Sequence, residues 1–254
     1  MSNKSKLVLH CGAETVDREV VDAVVTPEPT ASLRGRLHVP VPHSLVIDSV
    51  ISAVGHSGLQ VSDSQFALTK EGNRLFGLLT LSDPGASGGD HALTVGLRNS
   101  HDKSVPVGLS LGSRVFVCDN LSFSGEAVIK SKHTRFIKDR LPALVNGVIG
   151  RLISHRGDLE RRINAYKETA VENPRHLHDI VLRAFKANAI PARAITEVVK
   201  EFEAPRHPEF RDWNLWSCFN SFTEVLKGYG DLVPRTQRLH GVFDAECGAK
   251  LLAV

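Results

Sequence analysis

The sequence predicts an α+β fold: an antiparallel, curved β-sheet with one short helix packed on it, followed by a long helix and a helical C-terminal half. Three observations carry this. From Leu59 to Ser131 the chain reads as successive strands, with apolar residues alternating with polar ones. From Thr134 onward the apolar spacing becomes helical and stays so. Strands and helices are therefore segregated along the chain, which favours α+β over an alternating α/β fold.

Residues 1–32 end in "TPEPTAS" and read as a flexible lead-in. "LRGRLHVPV" reads as an edge strand, because Pro40 cannot donate to a sheet ladder. In "PHSLVIDSVISAVGHSG", Ile47, Val50, Ile51 and Val54 fall at helical spacing, with Pro42 near the start and Gly55 and Gly58 as stops. "LQVSDSQFALTK", the turn "EGN" and "RLFGLLTLS" form a predicted hairpin. "DPGASGGD" is a loop; it lacks the Lys-Ser/Thr ending of a phosphate-binding loop. "HALTVGLRNS", "VPVGLSLG", "RVFVCDN" and "LSFSGEAVI" follow as strands, with a turn at Gly112-Ser113.

The long helix opens at Thr134, a predicted N-cap. It carries Phe136, Ile137, Leu141, Leu144, Val145, Val148, Leu152, Ile153 and Leu159 along one face, with Pro142, Gly147 and Gly150 as points of bending. Shorter helices follow in "RHLHDIVLRAFKANA", "ARAITEVVKEFEA" and "DWNLWSCFNSFTEVLKG", where Trp213 and Trp216 read as core anchors. The predicted division is a flexible segment over 1–32, an α+β core with the long basic helix over 33–170, and a helical region over 171–254 packed on that core.

Composition narrows the class. Of the 254 residues 42% are hydrophobic and 23% charged, which predicts a packed core rather than disorder. No apolar run approaches the roughly 18 residues of a membrane span, and the first apolar run is too short for a signal peptide. A cytoplasmic protein without membrane contact is expected. Cys11, Cys118, Cys218 and Cys247 are far apart and form no C-x-x-C pair, which predicts reduced thiols and no zinc site.

Charge is unevenly placed. Residues 91–167 carry 13 Lys/Arg against 6 Asp/Glu, whereas 1–90 carry 7 against 10 and 168–254 carry 11 against 12. A local excess of this kind attracts a polyanion even in a chain whose net charge is only +3. The set comprises Arg98, Lys103 and Arg114 from the strands and Lys130, Lys132, His133, Arg135, Lys138 and Arg140 across the strand-to-helix junction. Phe116, Phe123 and Phe136 lie among these cations as core residues or base-stacking platforms.

Catalytic and metal chemistry find less support. His101, Asp102, Asp119 and Asn120 supply a nuclease only if their loops converge on a cation. Neighbours such as His101 and Asp102, or Cys118 and Asp119, point to opposite faces of a strand, and Cys118 ends an apolar strand as a buried thiol. His176 and His178 diverge by about 200° on a helix, a poor chelate. No catalytic residue, metal or cofactor is assigned.

"RNSHDKS", then "SRVFVCDNLSFSGE", then "KHT" form an ordered series. It resembles the phage/plasmid-like family known as domain of unknown function 932. Asn99, Ser100, His101, Asp102 and Ser104 match the first of that family's motifs. Val115, Val117, Cys118, Asn120 and Leu121 match the second, and His133 and Thr134 the third. The resemblance spans residues 35 to 240 and implies a mobile-element protein acting near DNA; it implies no reaction and no cofactor. A curved sheet followed by a basic helix is also similar, at the level of fold alone, to phage single-strand annealing proteins.

The expected function is nucleic-acid binding, with single-stranded DNA favoured and annealing as its extension. Homo-oligomerisation would make the track continuous, and Asn99, His101, Asp102 and Asn120 would fix the hairpin turns. A protein-interaction or defence-modulating role through the helical half is the alternative, and a metal-dependent nuclease the third reading.

Overall fold

In this computed structural model the structure describes residues 14–31, 37–69, 71–82, 91–115, 121–123, 129–131, 133–227, 229 and 231–248. The chain forms two compact units, one of residues 1–112 with 126–154 and one of 113–125 with 155–254.

The first unit opens with β1 (Glu14–Val16), α1 (Arg18–Asp22), the two-residue strands β2 (Thr30–Ala31) and β3 (Leu37–His38), and α2 (His43–His56). Strands β4 (Gln60–Thr69), β5 (Arg74–Ser82), β6 (His91–Ser100) and β7 (Val107–Val115) follow. Along the chain β8 (Leu121–Phe123), which belongs to the second unit, β9 (Ile129–Ser131) and the long helix α3 (Ile137–Glu168), whose residues up to 154 belong to the first, come next. The sheet runs in the order β1-β4-β5-β6-β7, with β9 also antiparallel on β7. The fold is α+β: an antiparallel sheet, a short helix, and a helical C-terminal half.

The β4–β5 hairpin pairs Thr69 with Arg74. Its turn places Glu71 at φ 56° and Gly72 at φ 85°, left-handed conformations that glycine adopts without a steric cost. Gly77 has a different task. A Cβ there would lie 2.8 Å from Leu97 Cδ1 and 3.0 Å from Phe66 Cδ1, so its bare backbone lets these two side chains meet across three strands.

One face of the sheet is covered by α2 and the start of α3. Val46, Ile47, Val50 and Val54 of α2 pack with Leu75, Leu79, Val95 and Leu97 of the sheet and with Ile137, Leu141 and Val145 of α3. Each such side chain contributes about 1.5–3 kcal/mol by leaving water. This packing selects the helical spacing seen in the sequence.

Several elements differ from the sequence expectation. Residues 14–22, read within a flexible lead-in, add an edge strand to β4 and a short helix. Of the predicted strand over 33–41, residues 33–36 lie outside the described residues, and among 37–41 only Leu37–His38 is strand, because Pro40 and Pro42 lead directly into α2. The Gly112-Ser113 turn is absent: β7 runs through both residues, anchored by buried Leu109, Leu111 and Ser113. Of the predicted strand over 121–129, the described residues are strand at Leu121–Phe123 and at Ile129, where β9 begins; 124–128 lie outside the described residues. Helix α3 is continuous through Pro142, Gly147 and Gly150. Pro142 sits near the helix start, where one carbonyl bond is lost, and no atom approaches a Cβ built at either glycine within 4 Å.

In the second unit, residues 155–168 of α3 are joined by α4 (Pro174–Lys186), α5 (Ile195–Glu203), α6 (Leu215–Val225) and α7 (Leu232–Glu246). Asn173 caps α4 by accepting the amide of His176 at 3.1 Å, and Asn214 caps α6 by accepting that of Ser217 at 2.8 Å. The core is aromatic: Phe243 meets Phe219 at 5.2 Å and Phe222 at 5.6 Å, both edge-on. Within it Tyr166 donates to Asp244 at 2.7 Å. Burial and then that carboxylate hold the phenol protonated, and burial holds His240 neutral, at about 3. Helix α7 escaped the sequence reading because Pro234 and Gly241 interrupt its pattern. Among the described residues no helix is long and apolar enough to cross a membrane.

Candidate functional site

The core-facing side of β6 is apolar at Leu93, Val95 and Leu97, then continues as Asn99 and His101. The change of chemistry falls where α2 begins. Asn99 is fully buried and its Nδ2 donates to Val41 O at 2.7 Å and to His43 Nδ1 at 2.8 Å. His43 Nε2 donates to Gly72 O at 2.9 Å. The carbonyl therefore fixes the proton on Nε2, and Nδ1 is left to accept from Asn99. His101 Nε2 donates to the same Val41 O at 3.0 Å.

The two imidazoles stack, with centroids 4.0 Å apart and planes 4° apart. His38 joins from β3, donating through Nε2 to His101 O at 3.3 Å. His133 completes the cluster, its ring 5.0 Å from that of His38, while its carbonyl accepts the amide of Val39 at 3.2 Å. Burial lowers the proton affinity of all four rings, taking His43 and His133 to about 4. Within the cluster, Asn99 Oδ1 and His101 Nδ1 have no hydrogen-bond partner among the described residues.

The turn after β6 is built by other members of the same motif. Ser100 Oγ donates to Val105 O at 2.8 Å and accepts its amide at 3.1 Å. Asp102 Oδ1 accepts from the amide of Ser104 at 3.0 Å and from its hydroxyl, while Oδ2 pairs with Arg74 Nε at 2.8 Å. Burial raises the pKa of this carboxyl, but the bonds from Ser104 and then Arg74 outweigh it and hold the group at about 2. Lys103 sits exposed at the tip with φ 65°. The turn role expected for Asn99 and His101 is thus corrected: both reach back to the segment before α2.

The basic junction resolves unevenly. Arg135, Lys138 and Arg140 are exposed at the start of α3. Between them Phe136 is 53% exposed, with the guanidinium carbons of Arg135 and Arg140 at 5.7 and 5.9 Å from its ring centroid. Phe136 is therefore not a core residue; Ile137 and Leu141 take the inward face. The exposed acid Asp139 interrupts the run of cations. His133, expected with the phosphate-binding cations, is buried and neutral, and that assignment is corrected. Arg98 is half-buried on β6, where its side chain lies over Gly108. Arg114 and Lys130 fall on β7 and β9 with side chains outside the described residues. Lys132, Cys118, Asp119, Asn120 and Phe116 also lie outside them.

Elsewhere the candidates separate. Both ring nitrogens of His176 are engaged, Nδ1 by the amide of Glu172 at 3.3 Å and Nε2 by Glu246 at 3.2 Å. Asp179 pairs with Arg183 at 3.4 Å. No group of three or more His, Cys, Asp or Glu able to hold a metal ion occurs among the described residues. Cys218 is fully buried, and burial pushes its thiol well above the usual range, which leaves it unreactive. Trp216 is buried as expected, but Trp213 is 40% exposed, edge-on to Phe202 at 5.2 Å.

His38 and His43 were not singled out in the sequence, where they are two of twelve scattered histidines. The available signal was local: both flank the "HVPVPH" stretch, whose prolines fix an extended entry into a helix.

No curated protein and no solved structure matches the chain. The family model described as "Domain of unknown function (DUF932)" matches residues 31–242. That stretch holds β6, its turn, the histidine cluster and the start of α3, and on this match the chain belongs to the DUF932 family.

Proposed function

We propose that the protein binds nucleic acid, single-stranded DNA by preference, through the exposed start of α3. The observation that carries this is Phe136, solvent-exposed between two arginines where the basic turn leads into α3. Exposing a phenylalanine sacrifices burial energy, and the arrangement answers a chemical need: an aromatic face for an unpaired base and cations for its flanking phosphates. Arg135, Lys138 and Arg140 make the phosphate contacts and Lys103 extends the basic surface, whereas Arg98 lies on the opposite face of β6, over Gly108, and takes no part in it. Assembly of several copies would lengthen the track, and annealing would follow from two strands held on such surfaces. The phage/plasmid setting that the family resemblance implies agrees with a DNA-linked role.

The protein-interaction alternative rests on exposed Trp213, which Phe202 partly covers. The nuclease alternative has less support, because the Asp102 carboxylate is already engaged by Arg74 and Ser104. The deciding experiment compares wild type with a variant carrying Arg135→Glu, Lys138→Glu and Arg140→Glu in a binding titration with a labelled oligonucleotide. All three positions are exposed, so the fold should persist, which circular dichroism verifies. Loss of binding supports the assignment; unchanged affinity in a folded variant removes it.

A further inference from the structure

The histidine cluster does not serve the phosphate-binding surface, and its geometry has a consequence of its own. His38, His43, His101 and His133 come from four separate places: β3, the first turn of α2, the turn after β6 and the lead-in to α3. Together with Asn99 they fasten residues 37–43 to the sheet through bonds at Val41 O, Gly72 O and His101 O, and through the Val39 amide on His133 O.

Apart from the Asn99 amide bond to Val41 O, each of these side-chain bonds is made by a neutral ring. The hydrogen-bond pattern of His43 is the decisive detail. Its Nδ1 accepts from Asn99 Nδ2 while Nε2 donates to Gly72 O. A second proton on the ring would set an N–H against the Asn99 amide. Rotating Asn99 to accept that proton would give up its bond to Val41 O. A charge on His43 would also face His101 across the 4.0 Å stack. The charged groups around the cluster do little to offset this. Lys103 acts against a proton on His38, and Asp102, which favours one on His101, is bound to Arg74 and Ser104.

We propose that the four histidines form an acid-released latch on residues 37–43, closed while the rings are neutral and opened by proton uptake. Opening would free the entry into α2 and the turn 99–105 without unpairing β4 from β5. The latch is independent of the nucleic-acid reading and stands or falls separately from it.

Hydrogen–deuterium exchange of the intact protein at pH 7.5 and 5.0, corrected for intrinsic exchange rates, tests it. With His43 going from 6.5 in the open state to about 4 in the closed one, its release alone should raise the opening equilibrium about 30-fold over this interval. That increase should appear in peptides covering 37–43 and 99–105 and be absent from β4 and β5. An equal change across the first unit, or none, overturns the latch. His43→Gln provides a second arm, since an amide can donate to Gly72 and accept from Asn99 without titrating. The acid response should shrink in that variant; a full response counts against the proposal. Should that variant not fold, NMR titration of the wild-type imidazoles decides. Rings of His43 and His101 that stay neutral until the 37–43 segment opens support the latch, and protonation at or above pH 6.5 with the segment closed overturns it.

Discussion

The imidazoles of His43 and His101 lie face to face, 4.0 Å apart and within 4° of parallel, although one begins a helix and the other directly follows a strand. Asn99 holds the arrangement, bonding His43 directly and sharing the Val41 carbonyl with His101. Its place in the β6 pattern, one step beyond Leu97 on the core-facing side, makes it a buried polar group with specified partners. Such groups are costly to strip of those partners.

Replacing Asn99 by Ala should therefore destabilise the protein by about 1–3 kcal/mol, the penalty for leaving buried acceptors unpaired. Urea denaturation measures this. A variant as stable as wild type would mean that the bonds to Val41 and His43 contribute nothing net.

Stability should fall on mild acidification. His43 and His133 have folded-state values near 4 against 6.5 unfolded, so the unfolded chain binds more protons between those limits. Their contribution is complete above pH 6.5 and is lost as pH falls from 6.5 toward 4. His240, buried in the second unit at about 3, adds a loss of the same sign. Urea midpoints measured from pH 7.5 to 4 should decline through this window; a flat profile contradicts the burial of these rings.

Gly77→Ala should cost about 1–3 kcal/mol, as overpacking does. The added methyl would lie 2.8–3.0 Å from Leu97 and Phe66, both themselves buried in the core. Thermal unfolding checks this, and Gly55→Ala on the exposed face of α2, with nothing within 4 Å, provides the benign comparison.

Phe136→Ala separates binding from folding. The ring is 53% exposed, so stability should change by less than about 0.5 kcal/mol. Affinity for single-stranded DNA should fall by about 1–3 kcal/mol, the contribution of one stacked base. Equal losses in both quantities would return Phe136 to a structural role.

The parts of this fold that were legible in the sequence are those fixed locally. The β4–β5 hairpin announces itself through alternation around "EGN", and α4 and α6 through their periodicity, while their caps Asn173 and Asn214 emerge only in the structure. Helix α7 was not legible, because Pro234 and Gly241 mask a pattern that tertiary packing of Leu239 and Phe243 enforces. The site divides in the same way. The exposed cations of α3 follow from its amphipathic spacing, but the outward turn of Phe136 depends on how α3 docks. The burial of His133 and its meeting with His38 depend on contacts between distant segments, and no local pattern encodes them.

The central claim, nucleic-acid binding at the start of α3, is tested most directly by titrating labelled single-stranded and duplex DNA by fluorescence anisotropy at low and physiological salt. Binding to the single strand should be tighter than to the duplex. Affinity should also fall steeply with salt, with a slope of about −0.7 per phosphate contacted. Absence of binding to either DNA at low salt would contradict the claim.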